Sequence, residues 1–267
     1  MEFNFFSKNG KVLPIAEANV SLLSVEYTYG FGVYETLRVK NKKPLFLDDH
    51  VERLIKSAEI IRLAHILNVS DIKKHIEDMV AETPEETYNL KLLLIGARQP
   101  EDADFYIFPS APLFPDKKLY RDGVRTITVN FERAYPQAKT LNMLQSYLAY
   151  RDAKNNGCYD ALLVNTKGHI TEGTRTNFLL VKGNTIYSPF EKDILLGVAR
   201  KYVLETAKEN GFILEERNIT PDSLHEYDGA FLTSTSSKIM PIKRVDDFEF
   251  EKIPESIYRL MDLFSKR

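Results

Sequence analysis

Five stretches of the chain carry residue types that could act on a charged ligand. Leu196-Gly197-Val198-Ala199-Arg200 sets a glycine just before a run with helical periodicity. The backbone can close in there, and the unpaired N–H groups of a helix start favour a phosphate. Thr233-Ser234-Thr235-Ser236-Ser237 offers five hydroxyls in one turn. Arg53 supplies a forked cationic donor. Val33 to Val39 alternates, so Tyr34, Thr36 and Arg38 share a polar face opposite Val33, Glu35, Leu37 and Val39. In Ile170-Thr171-Glu172-Gly173-Thr174-Arg175-Thr176-Asn177-Phe178, a carboxylate sits at a glycine turn between two strand-like runs, Tyr159 to Val164 and Asn177 to Val181. Each stretch also has an ordinary reading. These are a helix cap, a plain polar turn, a surface ion pair of Arg53 with Glu52 or Asp49, a half-exposed strand and a surface carboxylate. Together they suit a phosphate-bearing ligand held between two halves of the chain.

Composition narrows the classes. The chain has 267 residues, enough for one large domain or two of ordinary size, and a net charge of -2 gives no pull toward nucleic acid or an anionic membrane. No apolar run reaches the ~20 residues that span a bilayer, and the first residues are too short and polar a stretch for a signal peptide. The single cysteine, Cys158, permits no internal disulfide, so a reducing cytoplasm is expected, with Cys158 a buried packing residue. The five histidines are scattered without HExxH or a cysteine cluster, so no metal site is expected. GxSxG, Walker and GxGxxG patterns are absent.

The elements that must position these residues follow from turn chemistry and periodicity. A hairpin about Asn9-Gly10 opens the chain, and a glycine-rich aromatic loop spans Tyr27 to Gly32. Asp48-Asp49 is expected to cap a helix bearing His50 and Arg53 on one side, and a second helix covers Ser70 to Ala81. Three prolines in Pro109 to Pro115 mark a boundary, giving a smaller α+β domain over 1–112, a linker over 113–122 and a larger α+β domain over 123–267. In the second half a helix runs from Asn142 to Asn155, three short strands reach Tyr187, Gly197 opens a helix, and an amphipathic helix covers Ile257 to Phe264. Hairpins and helices without regular βαβ alternation indicate an α+β fold.

The chain resembles the class IV aminotransferases, the fold-type IV pyridoxal-phosphate enzymes that include branched-chain and D-amino-acid aminotransferases and aminodeoxychorismate lyase. The matching motifs run in order: Tyr29 to Arg38, His50 to Leu54, Lys139 to Asn142, Asp160 to Leu163, Gly168 with Ile170 to Asn177, Ile194 to Arg200, and Thr233 to Thr235 followed by Pro241. The resemblance implies a two-domain fold like that of D-amino-acid aminotransferase, with pyridoxal 5'-phosphate between the domains and a homodimer whose partner completes the site. It implies that Lys139 holds the cofactor covalently and moves the substrate proton, and that Glu172 pairs with the pyridine nitrogen. It further implies that Arg53 binds the phosphate with the backbone about Gly197, Val198 and Ala199 and the turn at Ser234 and Thr235. Tyr34, Arg38 and Arg98 would serve the amino acid and 2-oxo acid substrates.

Four positions depart from the family pattern. Phe31 stands where aspartate is frequent, and Ala199 where threonine is common, which removes a hydroxyl from the phosphate cup. Leu144 stands where branched-chain enzymes typically carry tyrosine, as in the D-amino-acid and lyase branches, and Gly96 to Glu101 does not reproduce the Arg-x-His pair of the D-amino-acid branch. The expected function is amino-group transfer from an amino acid to a 2-oxo acid. A pyruvate-releasing lyase and a non-catalytic cofactor-binding protein are the alternatives.

Overall fold

The computed structural model describes residues 3–21, 23–112 and 114–267; Met1 and Glu2 at the expected start of the first domain, and Leu113 in the expected linker, lie outside them. The chain forms two compact units, Met1–Leu113 with Gln137–Asn142, and Phe114–Pro136 with Met143–Arg267. Part of the segment expected as a linker is therefore a helix of the second unit, Lys117–Asp122, and a stretch expected in the larger domain belongs with the first.

In the first unit, strands β1 (Phe5–Lys8) and β2 (Lys11–Pro14) form the Asn-Gly hairpin, and a short helix α1 (Val25–Thr28) occupies part of the expected aromatic loop. Then come β3 (Gly32–Lys40), β4 (Lys43–Pro44), helices α2 (Leu47–Ile60) and α3 (Val69–Glu82), and strands β5 (Tyr88–Ile95) and β6 (Asp104–Ser110). The six strands pair in the order β2-β1-β6-β5-β3-β4, and β3 pairs antiparallel along its length with β5. Val33, Leu37 and Val39 are buried with Leu54, Ala58, Ile72 and Ile76 of the two helices, so the apolar strand face and the helical stripes make one core. Helix α2 starts differently from the expectation. Its N-cap is Phe46 in the left-handed region with φ 54, and Asp48 and Asp49 fall inside the first turn, where carboxylates favour the helix dipole. Pro109 lies within β6, opposite Leu90.

The second unit contains α4 (Lys117–Asp122), β7 (Val124–Asn130), α5 (Leu144–Asn155), β8 (Asp160–Val164), β9 (Ile170–Gly173), β10 (Asn177–Lys182) and β11 (Thr185–Ser188). After these follow α6 (Val198–Glu209), β12 (Ile213–Glu216), β13 (Gly229–Ser234), β14 (Lys238–Val245), β15 (Phe248–Glu249) and α7 (Glu255–Ser265). Its nine strands form one sheet, in which β9 pairs with both β8 and β10, so that β10, β13, β14, β7, β8 and β9 close on themselves. Phe178, Leu180, Leu232 and Met240 fill one face of this ring. Leu179, Val181 and Phe231 pack on the other face against Val203 and Ala207 of α6 and Leu260 of α7. Among the described residues no helix is long and apolar enough to cross a membrane.

Candidate active site

Glu172 lies inside a strand and not at a turn. It belongs to β9, is 3% exposed, and stands opposite Asn177 of β10, which in turn stands opposite Thr233 of β13. The turn is Thr174 to Thr176, and Asp160 organises it. Its carboxylate accepts from the Thr174 hydroxyl and backbone N–H and from the Thr176 hydroxyl. Alternation along β10 and β13 puts Glu172, Asn177 and Thr233 on the face covered by α6.

A buried carboxylate is costly unless it is paired and hydrogen-bonded, and Glu172 is both. Arg133 donates from Nε to Oε1 at 2.8 Å, the Leu195 N–H donates to Oε2 at 3.1 Å, and Asn177 Nδ2 reaches the same oxygen at 3.4 Å. Arg133 also donates to the Thr174 carbonyl at 2.8 Å, and Asn177 Nδ2 to the Leu195 carbonyl at 2.7 Å. Asn177 thereby ties the Glu172 strand to the loop that enters α6.

Gly197 is the N-cap of α6. A Cβ there would lie 2.0 Å from Asn177 Oδ1, so the side chain is excluded by contact, its φ of -64 being ordinary. Val198 and Ala199 form the first turn and are buried, and the first N–H groups of any helix lack partners within it. Ala199 brings no hydroxyl. Arg200 donates to Glu191 and to Ser188. In the hydroxyl turn, Ser234 bonds Ser237, Thr235 is half-buried, and the Thr233 hydroxyl is buried without a partner.

The first unit gathers a second set. Lys139 is anchored through its backbone, its N–H donating to Ser57 Oγ at 3.0 Å and its carbonyl accepting from the Tyr34 N–H at 2.9 Å. Its Nζ stands 4.4 Å from the centre of the Tyr34 ring. Ser57 Oγ donates to the Arg53 carbonyl at 2.7 Å, so one hydroxyl holds the backbones of Arg53 and Lys139 together. The Arg53 head group reaches across to β3, its Nε and Nη2 donating to Glu35 at 2.6 and 2.8 Å.

The polar face of β3 carries Tyr34, Thr36 and Arg38 as expected, all half-buried. Arg38 donates to Asn89 at 2.7 Å, and Lys91, opposite Thr36 on β5, lies 5.9 Å from the Tyr34 ring centre. Arg98 is 85% exposed on its side chain and only 4.0 Å from Glu26. Phe31 packs on the first core, its ring filling the space beside Gly96. Glu26, Tyr27, Gly30, Phe31, Leu93 and Leu141 line a cleft of about 230 Å³. Sequence reasoning missed Arg133, Asn177, Ser57 and Lys91. Only Lys91 had a legible signal, alternation with Asn89 and Leu93 on a strand.

Each unit by itself carries groups of kinds that suit parts of pyridoxal phosphate: an amine and an arginine in the first, and a buried carboxylate, a helix start and an orphaned hydroxyl in the second. Among the described residues no group of three His, Cys, Asp or Glu side chains is placed to hold a metal ion.

The family model described as amino-transferase class IV matches residues 32–245. The chain is 30% identical over 250 residues to D-alanine aminotransferase of Bacillus licheniformis, covering 89% of this chain and 87% of that protein. The branched-chain amino acid aminotransferase of T.th. with pyridoxamine 5'-phosphate superposes with a TM-score of 0.92 at 24% identity, over 100% of this chain and 94% of that one. The same enzyme complexed with N-(5'-phosphopyridoxyl)-L-glutamate gives a TM-score of 0.89 at 25% identity, over 98% and 93%.

Proposed function

The chain belongs to the class IV aminotransferases, fold-type IV enzymes that use pyridoxal phosphate, and on that premise we propose how its residues divide the work of moving an amino group from an amino acid to a 2-oxo acid. The observation that carries the proposal is Ser57, which sets the backbone of an amine, Lys139, against that of a cation, Arg53. Lys139 holds the cofactor covalently and moves the proton at the substrate Cα. When bound, the cofactor supplies the electron sink for the pair that proton leaves behind. Glu172, paired with Arg133, holds the pyridine nitrogen protonated. Arg53, the backbone of Gly197, Val198 and Ala199, and the turn at Ser234 and Thr235 hold the phosphate.

The substrate side falls to Tyr34 and Arg38 with Lys91 beside them. Two cations on one sheet face, Arg38 of β3 and Lys91 of β5, suit carboxylates, which favours a dicarboxylic partner among the amino and oxo acids. Arg98, exposed in this chain, has a substrate role only if a second subunit covers it. The exposed Leu23, Tyr27 and Tyr29 offer an apolar surface for such a partner, and a cytoplasmic homodimer is the proposed state.

Incubating the cofactor-loaded enzyme with single amino acids tests the reaction. Conversion to pyridoxamine phosphate with one equivalent of 2-oxo acid supports transfer. Pyruvate release from aminodeoxychorismate without that half-reaction assigns the lyase, and no reaction with any amine assigns a binding protein.

A further inference from the structure

Glu35 is the one acidic residue among the apolar positions of β3, and it is fully buried. Its carboxylate accepts from side chains of α2 and, at 3.3 Å to Oε2, from the Thr36 N–H. Oε1 accepts from Arg53 Nε at 2.6 Å, and Oε2 from Arg53 Nη2 and His50 Nδ1, each at 2.8 Å. A carboxylate only accepts, so Nδ1 carries the histidine proton. His50 Nε2 is buried with no partner, so the ring makes no other polar contact.

Burial by itself would raise the Glu35 carboxyl. The charge of Arg53 and the bond from His50 outweigh it and hold the group well below the ordinary glutamate range. Such a pair is a poor way to stabilise a core, because apolar residues of similar volume usually serve as well or better. What the pair does provide is a fixed guanidinium: two parallel bonds set the plane and direction of the Arg53 head group. The preceding residue, Tyr34, donates its N–H to the Lys139 carbonyl, so the same strand registers both groups.

We infer that Glu35 and His50 are positioning residues that hold the Arg53 guanidinium oriented for a phosphate, so that they set cofactor affinity without touching the cofactor. The inference rests on the reading that Arg53 binds the phosphate. Ordering the arginine beforehand removes part of the cost of binding.

The test compares the apo chain's affinity for pyridoxal phosphate with its affinity for pyridoxal, which lacks the phosphate, in wild type, Glu35→Gln, His50→Asn, Arg53→Ala and the Glu35→Gln/Arg53→Ala pair. Folding is followed by circular dichroism. The expected result for Glu35→Gln is a loss of about tenfold or more for pyridoxal phosphate and an unchanged affinity for pyridoxal. His50→Asn should show a smaller loss of the same kind, and the double variant should be no weaker than Arg53→Ala. A folded Glu35→Gln that binds pyridoxal phosphate like wild type overturns the inference, and so does one that loses both ligands equally. If Glu35→Gln does not fold, His50→Asn decides alone by the same two criteria. If Arg53→Ala itself spares the phosphate preference, the reading of Arg53 fails, and the inference with it. If Arg53→Ala abolishes the preference and both supporting variants keep it, only the inference fails.

Discussion

Arg133 and Glu172 form a half-sealed ion pair, Nε to Oε1 at 2.8 Å, with the carboxylate side chain only 4% exposed. Removing the arginine strips a buried charge of the cation it is bonded to. Breaking such a pair costs about 3 kcal/mol or more, so Arg133→Ala should lose about that much stability in urea titration of the apo chain. Glu172→Gln keeps the shape, and should retain bound cofactor while kcat falls, since a neutral amide holds the ring nitrogen protonated less well. Turnover at the wild-type rate would remove Glu172 from the ring nitrogen.

Gly197→Ala tests the phosphate cup through sterics alone. The backbone there is ordinary, but the added methyl would overlap Asn177 Oδ1, and Asn177 must move. Its bond to the Leu195 carbonyl would be strained or lost. Cofactor affinity should drop about tenfold, equal to about 1.4 kcal/mol, as read by equilibrium titration. Gly168→Ala has open space for the methyl but a left-handed backbone with φ 77, so as a turn control it should lower stability and leave affinity unchanged.

Substrate recognition should separate from cofactor binding. Lys91→Ala and Arg38→Ala change cations on the Tyr34 face, and a bond to a charged group is worth roughly 1.5–3 kcal/mol. Each should raise KM for a dicarboxylic 2-oxo acid about tenfold or more, with the cofactor's visible spectrum unaltered. An equal effect on a monocarboxylic acid would show that the cations do not select the second carboxylate.

Acid stability follows from Glu35. Burial opposes its charge, yet Arg53 and His50 prevail and its pKa is lowered in the folded chain. Its contribution is therefore full above the ordinary glutamate value of 4.5 and is lost as pH falls below it toward the depressed folded value. Glu35→Gln should flatten the stability-versus-pH curve below that point by up to about 1.4 kcal/mol per pH unit. Denaturant midpoints between about pH 3 and pH 6 read the slope, and parallel curves for wild type and variant would contradict it.

Much of the fold was legible because its signals are local. The Asn9-Gly10 hairpin, the β3 alternation and the helix after Gly197 all appear where turn residues and periodicity place them. The site was legible only in fragments. Nothing near Lys139 sets it apart from other lysines, and family resemblance alone singled it out. Glu35 broke the apolar face of its strand, which marks a buried charge, but its partners lie 15 and 18 residues away on a helix. Arg133 meets Glu172 across 39 residues, a separation that no local pattern encodes. In the sequence Glu172 has the look of a turn residue because Gly173 follows it. The true turn lies one step later, ordered by Asp160 from another strand.

The assignment of Lys139 admits the most direct test. The cofactor-loaded chain is reduced with borohydride, which fixes a covalently held pyridoxal group, and digested for peptide mass spectrometry. The account predicts a single phosphopyridoxyl group on the peptide containing Lys139, and none in Lys139→Ala. The label on another lysine, or an unchanged label in Lys139→Ala, would contradict it.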